Sequence, residues 1–334
     1  ADDVAGQHPI ITELPQPRGA VTALALDALL ENLYVGTADG QVVHVALSET
    51  ESPEMRAAYT VAASSTAVTT LGFLSGDRSL VVMSEDGAVS TWGLVRRADA
   101  PSGWTLTQIH TLRAHNAPVT AFAPSQRVKG FVTGDMKGNL FLHHATSSQT
   151  LLRLANSEFP IRAVAFAPKG DGLIALDGAG QLSLYQVQNA YPEVTLETLF
   201  AKVWYEGYDQ PAHVWQSSSG SDDVEPKLGL LPLAFGTLKG TMYALFLAVP
   251  IAILAAMCTS QFMHQDLRAK IKPIIEVMAA LPTVVLGFLA GLWLAPLLER
   301  MLPAVAGMAL VLPLLVVVAS FAWYLCPLSV KRHL

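Results

Sequence analysis

The sequence predicts an all-β propeller followed by an all-α transmembrane region, and three observations lead to that prediction. Strand-like segments recur at matched steps over residues 18–190, three long apolar runs fill the last third, and charge divides with opposite sign between the two parts. Residues 1–227 hold 14 Lys and Arg against 24 Asp and Glu, net −10, whereas residues 228–334 hold 7 against 3, net +4. The overall −6 averages two different solvents.

The repeats come first in the chain. Opening strands are expected at Val21–Leu26, Val68–Phe73, Val119–Pro124 and Ile161–Phe166, and turn glycines at Gly40, Gly87, Gly138 and Gly180. Both series step by 47, 51 and 42 residues. A period of roughly 40–50 residues with several short strands and Asp-Gly-type turns is the signature of propeller blades. Second strands follow at Leu33–Val35, Ser79–Met83, Phe131–Thr133 and Leu173–Leu176, apolar enough to lie between neighbouring blades. Third strands at Val42–Val45, Val89–Trp92, Leu140–Leu142 and Leu182–Tyr185 come close to alternation, as a less buried face allows. Asp39, Asp86, Asp135 and Asp177 sit at the turns, where an aspartate bonds its own backbone, so turn chemistry accounts for them without catalysis.

With His115-Asn116 ahead of the third opening strand and Thr91-Trp92 closing a blade, the pattern resembles WD40 repeats, although no blade ends in Trp-Asp. Four blades make a small propeller, so further blades are expected before Ala1. The propeller is assigned residues 1–200. His110, His115, His143 and His144 read as strand-edge imidazoles rather than metal ligands, because no Cys and no suitably spaced carboxylate accompanies them. No cofactor is expected.

Residues 201–227 are assigned as a linker, with Ser217–Ser221 its most polar part. Trp204, Tyr205, Tyr208 and Trp215 have two readings: residues at headgroup level, or core of the last blade. The membrane region is assigned residues 228–334, with apolar runs at Gly240–Met263, Val277–Leu298 and Met301–Val330. A run of roughly 20 apolar residues lets a helix cross a bilayer. Spans are accordingly expected near 240–263, 274–298 and 302–326, with Glu299 and Arg300 separating the last two. Arg268, Lys270 and Lys272 after the first run, and Lys331 and Arg332 after the third, place those segments in the cytoplasm by the positive-inside rule. The propeller then lies outside. Cys258 and Cys326 fall in apolar runs and cannot staple the soluble part. The opening Ala-Asp-Asp-Val lacks the basic, apolar character of a signal peptide, so an export element upstream is expected.

Two blocks in the membrane region bear a family resemblance. The first runs from Glu225-Pro226-Lys227 through Leu231-Pro232-Leu233 and Gly236–Thr241 to Ala248–Ala252; the second, more specific, is Lys272–Phe288, with Lys-Pro-Ile-Ile-Glu-Val-Met-Ala-Ala-Leu-Pro-Thr-Val-Val at its heart. Together they resemble the PstC-type permease subunit of bacterial phosphate importers of the ATP-binding-cassette class. The resemblance implies the start of a MetI-like permease domain, in a large form bearing a repeat-rich extracytoplasmic insertion. It also implies a second permease subunit, a cytoplasmic ATPase subunit and a periplasmic phosphate-binding protein as partners, membrane lipid as solvent, and the bacterial inner membrane as location. No nucleic acid is expected.

Glu276 is the leading transport-path candidate, because a carboxylate inside a span costs energy unless it faces a polar cavity or a partner. A helix-end residue favoured by the macrodipole is the plainer alternative. Pro282, followed by Thr283, is expected to kink the span. Arg268 either attracts an anion on the cytoplasmic side or sets topology only; Lys239 either meets an anion near the outer end or snorkels. No Gly-x-x-x-x-Gly-Lys-Ser/Thr loop occurs, so ATP hydrolysis is expected on a separate subunit. The coupling loop of such permeases is also missing, and the chain is expected to be a fragment truncated before it. Two other classes remain: a membrane-anchored propeller acting as a protein-binding or envelope-sensing scaffold, and a propeller enzyme, for which no nucleophile and base pair is recognisable.

Overall fold

The computed structural model describes residues 14–47, 53–63, 66–98, 100, 103–218 and 225–325. The opening Ala-Asp-Asp-Val, linker residues 219–224, Cys326, and Lys331 with Arg332 lie outside these residues. The chain divides into two compact units, Ala1–Met242 and Tyr243–Leu334.

The first unit is a β-propeller whose sheets follow the predicted repeats. Strands β1 (Val21–Leu26), β2 (Asn32–Thr37), β3 (Gln41–Ala46) and β4 (Glu54–Thr60) form one antiparallel sheet in chain order. β5 (Val68–Phe73), β6 (Ser79–Ser84), β7 (Val89–Arg96) and β8 (Trp104–Thr111) form the second. β9 (Val119–Pro124), β10 (Gly130–Asp135), β11 (Asn139–His144) and β12 (Gln149–Ala155) form the third, and β13 (Ile161–Phe166), β14 (Gly172–Asp177) and β15 (Leu182–Gln186) the fourth. The four opening strands end where the sequence placed them. Sheets one to three each have a fourth, outer strand that the repeat pattern had not marked.

Neighbouring opening strands pack side by side, and the Thr22 and Thr120 hydroxyls each donate to a carbonyl of the next blade, those of Val68 and Ile161. The second strands are the most buried, with β6 and β10 buried at every position. The core consists of layers between sheets. Tyr34, Val42, Leu71, Leu80 and Trp92 fill the first, Val81, Met83, Val119 and Phe131 the second, and Val132, Leu140, Ile161 and Leu173 the third. Fully burying a side chain of this size stabilises by about 1.5–3 kcal/mol, so the blades hold one another through these layers.

The histidines read from sequence as strand-edge groups are interior instead. His143 is fully buried, its Nε2 3.0 Å from Thr133 Oγ1 and its Nδ1 2.9 Å from Thr150 Oγ1. His115, also buried, meets Asp135 at 2.9 Å and Thr133 at 2.7 Å and stacks on Phe141. Hydroxyls and a carboxylate from adjacent strands satisfy both rings, which is why they tolerate burial.

Between the propeller and the long helices, α1 (Leu196–Phe200) is capped by Thr195, and the two-residue strands β16 (Trp215–Gln216) and β17 (Lys227–Leu228) pair antiparallel. The helices follow: α2 (Leu231–Met257), extended by a π-helical turn Cys258–Phe262; α3 (Gln265–Ala280); α4 (Thr283–Leu289); and α5 (Ala295–Leu325), joined to α4 by a π-helical turn Ala290–Leu294. Two stretches are long and apolar enough to cross a membrane, Leu231–Phe262 with mean hydropathy 2.2 and Thr283–Ala304 with 1.6; a shorter apolar helical stretch is Val311–Phe321.

Two expectations change here. The span expected at 274–298 is divided, because Leu281 and Pro282 are extended and α4 starts afresh at Thr283. Pro282 therefore breaks the helix rather than kinking it; proline disfavours helical backbone in the residue before it. No turn separates the second and third apolar runs at Glu299–Arg300, which lie inside α5. Glu and Arg are good helix formers, and their charges do not interrupt the backbone ladder. The 31 residues of α5 span about 46 Å, more than the hydrocarbon thickness.

The turn glycines supply a stability test. Gly138 has φ +81°, its carbonyl accepts from the amides of Asn156 and Ser157, and a Cβ there would lie 1.9 Å from the Ser157 carbonyl oxygen. Gly180 has φ +83° and open space around it. Gly180→Ala should cost only the left-handed backbone penalty, about 1–2 kcal/mol. Gly138→Ala adds a backbone collision and should cost about 3 kcal/mol or more, measured by denaturant unfolding of the full chain. Equal costs would contradict the close approach of the Ser157 carbonyl to Gly138.

Buried imidazoles supply a second. Burial holds His143 at about 3 and His44, His110 and His144 at about 4, below the ordinary 6.5. The unfolded chain takes up protons on these groups as pH falls from 6.5 towards 4 while the folded chain does not, so folding loses stability over that window. One such histidine is worth on the order of 3 kcal/mol. His115, also lowered by burial, acts in the same direction; Glu225, whose carboxyl is pushed up by burial, titrates with the opposite sign, but it is one group against five histidines. Melting followed by tryptophan fluorescence should move to lower temperature between pH 6.5 and 4. A flat or rising profile would contradict this.

Candidate functional site

Of the sequence-predicted candidates, Lys239 falls in the first unit and the others in the second, and together they separate into two groups. Arg268, Lys272 and Glu276 lie on α3, and with Thr259, Ser260, Met263, Ile271 and Ile275 they line a cavity of about 400 Å³ between that helix and the π-helical end of α2. The Arg268 guanidinium donates through Nη2 to the Ser260 carbonyl, while its Nε is buried with no partner among the described residues. Lys272 Nζ stands 3.9 Å from Glu276 Oε1, one helical turn away. Both side chains are mostly exposed, so the pair contributes little to stability. Lys239 lies within α2, Pro282 caps α4 and Thr283 is its first residue, all outside the cavity lining.

The setting of Glu276 differs from the one expected. It does not sit inside an apolar span but on the polar side of an amphipathic helix, with Asp266, Arg268, Lys270 and Lys272 as the other charges. Its nearest cation is on its own helix. Two cations and one carboxylate on one cavity wall leave a net positive charge, which favours an anion.

The segment read as a linker forms a second charged centre, on the propeller. Val203 and Ala212 bridge in an antiparallel hairpin, and the Trp204–Tyr208 stretch between them lies in the crevice between sheets two and three. Tyr205 is 2% exposed. Lys129, immediately before β10, pairs with Glu206 at 2.7 Å with both side chains buried, and also donates to the Ser75 carbonyl. Glu225 accepts from the Glu206 amide and the Thr146 hydroxyl. Burial raises the Glu225 carboxyl above its usual range, with the nearby Glu206 charge adding to the effect. Lys227 Nζ stands 5.8 Å from the ring centres of both Tyr205 and Tyr208 and donates to Gln216 Oε1 at 2.8 Å. His110 donates through Nε2 to the Trp204 carbonyl. Trp204, Tyr205 and Tyr208 are thus built into the propeller, not in the blade that precedes them in sequence but between the second and third. The alternation of aromatic and acidic residues from 204 to 209 was the available signal.

Comparison with known proteins gives coarse relationships. No family model matches the chain. Over 78 residues it is 30% identical to the probable ABC transporter permease protein YqgH of Bacillus subtilis (strain 168), a match covering 23% of this chain and 25% of that protein. The chain thus spans about a quarter of the length of that curated relative. Among solved structures, the computationally designed Ika4 protein aligns over 55% of this chain and all of its own, at 20% identity and a TM-score of 0.44. The computationally designed Ika8 protein aligns over 52% of this chain and 48% of its own, with 21% identity and a TM-score of 0.43. The Myceliophteria thermophila Cps50 (Swd1) β-propeller domain aligns over 50% of this chain and 54% of its own, at 18% identity and a TM-score of 0.43. The sequence similarity supports a transporter permease in general terms.

Proposed function

We propose that this chain is the permease subunit of an ATP-driven phosphate importer of the bacterial inner membrane, with the propeller as an accessory domain on the periplasmic side. The observation that supports it best is the cavity of about 400 Å³ at the end of the α2 span, where Arg268 and Lys272 lie in the lining with Glu276. The similarity to an ABC transporter permease protein agrees with that reading. ATP hydrolysis belongs to a separate cytoplasmic subunit, and a second permease subunit and a periplasmic phosphate-binding protein complete the assembly.

In this reading Glu276 does not bind phosphate, because two like charges repel. It holds Lys272, and through the shared cavity wall it competes with phosphate for the two cations. When phosphate enters, the carboxylate gives up its cation to the incoming anion and reclaims it on release. Pro282 and Thr283 mark the break at which the next span can turn relative to α3.

Glu276→Gln keeps size and hydrogen-bonding capacity but removes the competing charge. Phosphate uptake by cells lacking other phosphate importers should fall several-fold, with the protein present at its normal level. Arg268→Gln should impair uptake as well. Normal uptake by both variants would leave α3 as a topology element only.

Topology is tested separately. In a Cys258→Ala, Cys326→Ala background, a membrane-impermeant thiol reagent should label Ser217→Cys and spare Ala269→Cys in cells with a permeabilised outer envelope. The reverse pattern would place the propeller in the cytoplasm.

A further inference from the structure

The three crevices between successive sheets are built alike but filled differently. Each has one wall at the start of a second strand, Asn32, Ser79 or Gly130, and the other around the end of an opening strand and its loop in the next blade. Phe73 and Phe166 occupy the same position in the first and third crevices, and Leu94, Ala145 and Val187 stand at matching places in all three. The middle crevice is filled by the chain itself. Tyr205 is inserted, Glu206 pairs with Lys129, and only about 20 Å³ of space remains. The first crevice keeps about 260 Å³ and the third about 370 Å³.

The two open crevices differ in charge. The first presents Asp27 and Asp77 with Arg78, and both carboxylates already accept loop hydrogen bonds, Asp27 from Glu31 and Asn32 and Asp77 from the Ala28 amide. The third presents Arg127 and Lys169 from adjacent blades, both exposed, with Ser125 and Asn189 beside them and no carboxylate in its lining. Neither cation has an ion pair among the described residues. His143, which forms part of the floor, is neutral when buried and adds no charge that an anionic ligand would have to offset.

We infer that the crevice between the third and fourth blades is a docking site for an extended acidic and aromatic peptide segment of a partner protein, bound as Trp204–Glu206 is bound in the middle crevice. The ligand inserts an aromatic ring between the sheets and sets a carboxylate against Arg127 and Lys169. The chain's own segment supplies the template, an aromatic residue followed by an acid held by a cation; in the third crevice Asp171 stands at the position of Lys129, just before β14, and the cations are instead Arg127 and Lys169. Charge selects the crevice. An acidic segment is attracted by the third and repelled by Asp27 and Asp77 in the first.

The test uses the full chain in detergent at fixed ionic strength and a fluorescently labelled peptide, Val-Trp-Tyr-Glu-Gly-Tyr-Asp, copied from Val203–Asp209. Saturable binding is expected, weakened about tenfold or more in the Arg127→Glu, Lys169→Glu double variant. These residues are exposed, so the double variant should melt as the parent does. A peptide with Lys in place of both acids should fail on the parent chain and bind the reversed variant, which separates a charge-specific site from a damaged one. Absence of saturable binding, or binding that the reversal leaves unchanged, would overturn the inference. Displacement of the peptide by inorganic phosphate, with phosphate binding the crevice in its own right, would make it a small-anion site and equally overturn it.

Discussion

The buried Lys129–Glu206 pair is the interaction on which the passage from propeller to membrane depends. Desolvating two opposite charges costs several kcal/mol for each ion, and the attraction between them offsets that cost only if the geometry is good and the remaining polar atoms find partners. Here the lysine also reaches the Ser75 carbonyl and the Glu206 amide is taken by Glu225, but Glu206 Oε1 is buried with no partner among the described residues, so the pair is only partly satisfied. Removing one partner would leave the other buried and unpaired. The segment from Val203 to Tyr208 is attached to the propeller by this pair, by the Val203–Ala212 bridge and by the buried Tyr205 ring, although it has almost no regular secondary structure.

That attachment extends to the edge of the membrane region. Glu225 binds Thr146 at a sequence separation of 79 residues, and Lys227 lies against Tyr205 and Tyr208 just before α2 begins at Leu231. The polypeptide leaving the propeller is thus pinned at both ends of the 219–224 stretch.

The parts of the fold legible in the sequence are those fixed by local chemistry. Gly40, Gly87, Gly138 and Gly180 all have positive φ, the conformation that makes glycine recur at hairpin turns, and the opening and second strands precede them at constant distance. The outer strands β4, β8 and β12 carry no turn glycine that recurs at a fixed step: Gly103 precedes β8, whereas Ser148 takes the positive φ before β12. Pairings such as Lys129 with Glu206 leave no local trace, since any exposed Lys and Glu look the same in sequence. The breaking effect of Pro282 was legible, but whether it bends or ends a helix depends on what packs around it. In α3, the grouping of Arg268 with Glu276 could be read from helical spacing, whereas the cavity opposite them depends on where α2 unwinds into a π-helical turn.

Amide hydrogen exchange on the full chain in detergent tests the account at its centre. The amides of Val203, Glu206, Ala212 and Gly229 bond to Ala212, Glu225, Val203 and Val214 respectively, and should exchange as slowly as those of β6 and β10. Ser217 and Ser218 should exchange quickly. Lys129→Met should raise exchange across 203–208 while leaving β6 protected. Exchange of 203–212 at the rate of an open chain in the unaltered protein would contradict the docked segment and leave the propeller on a flexible tether.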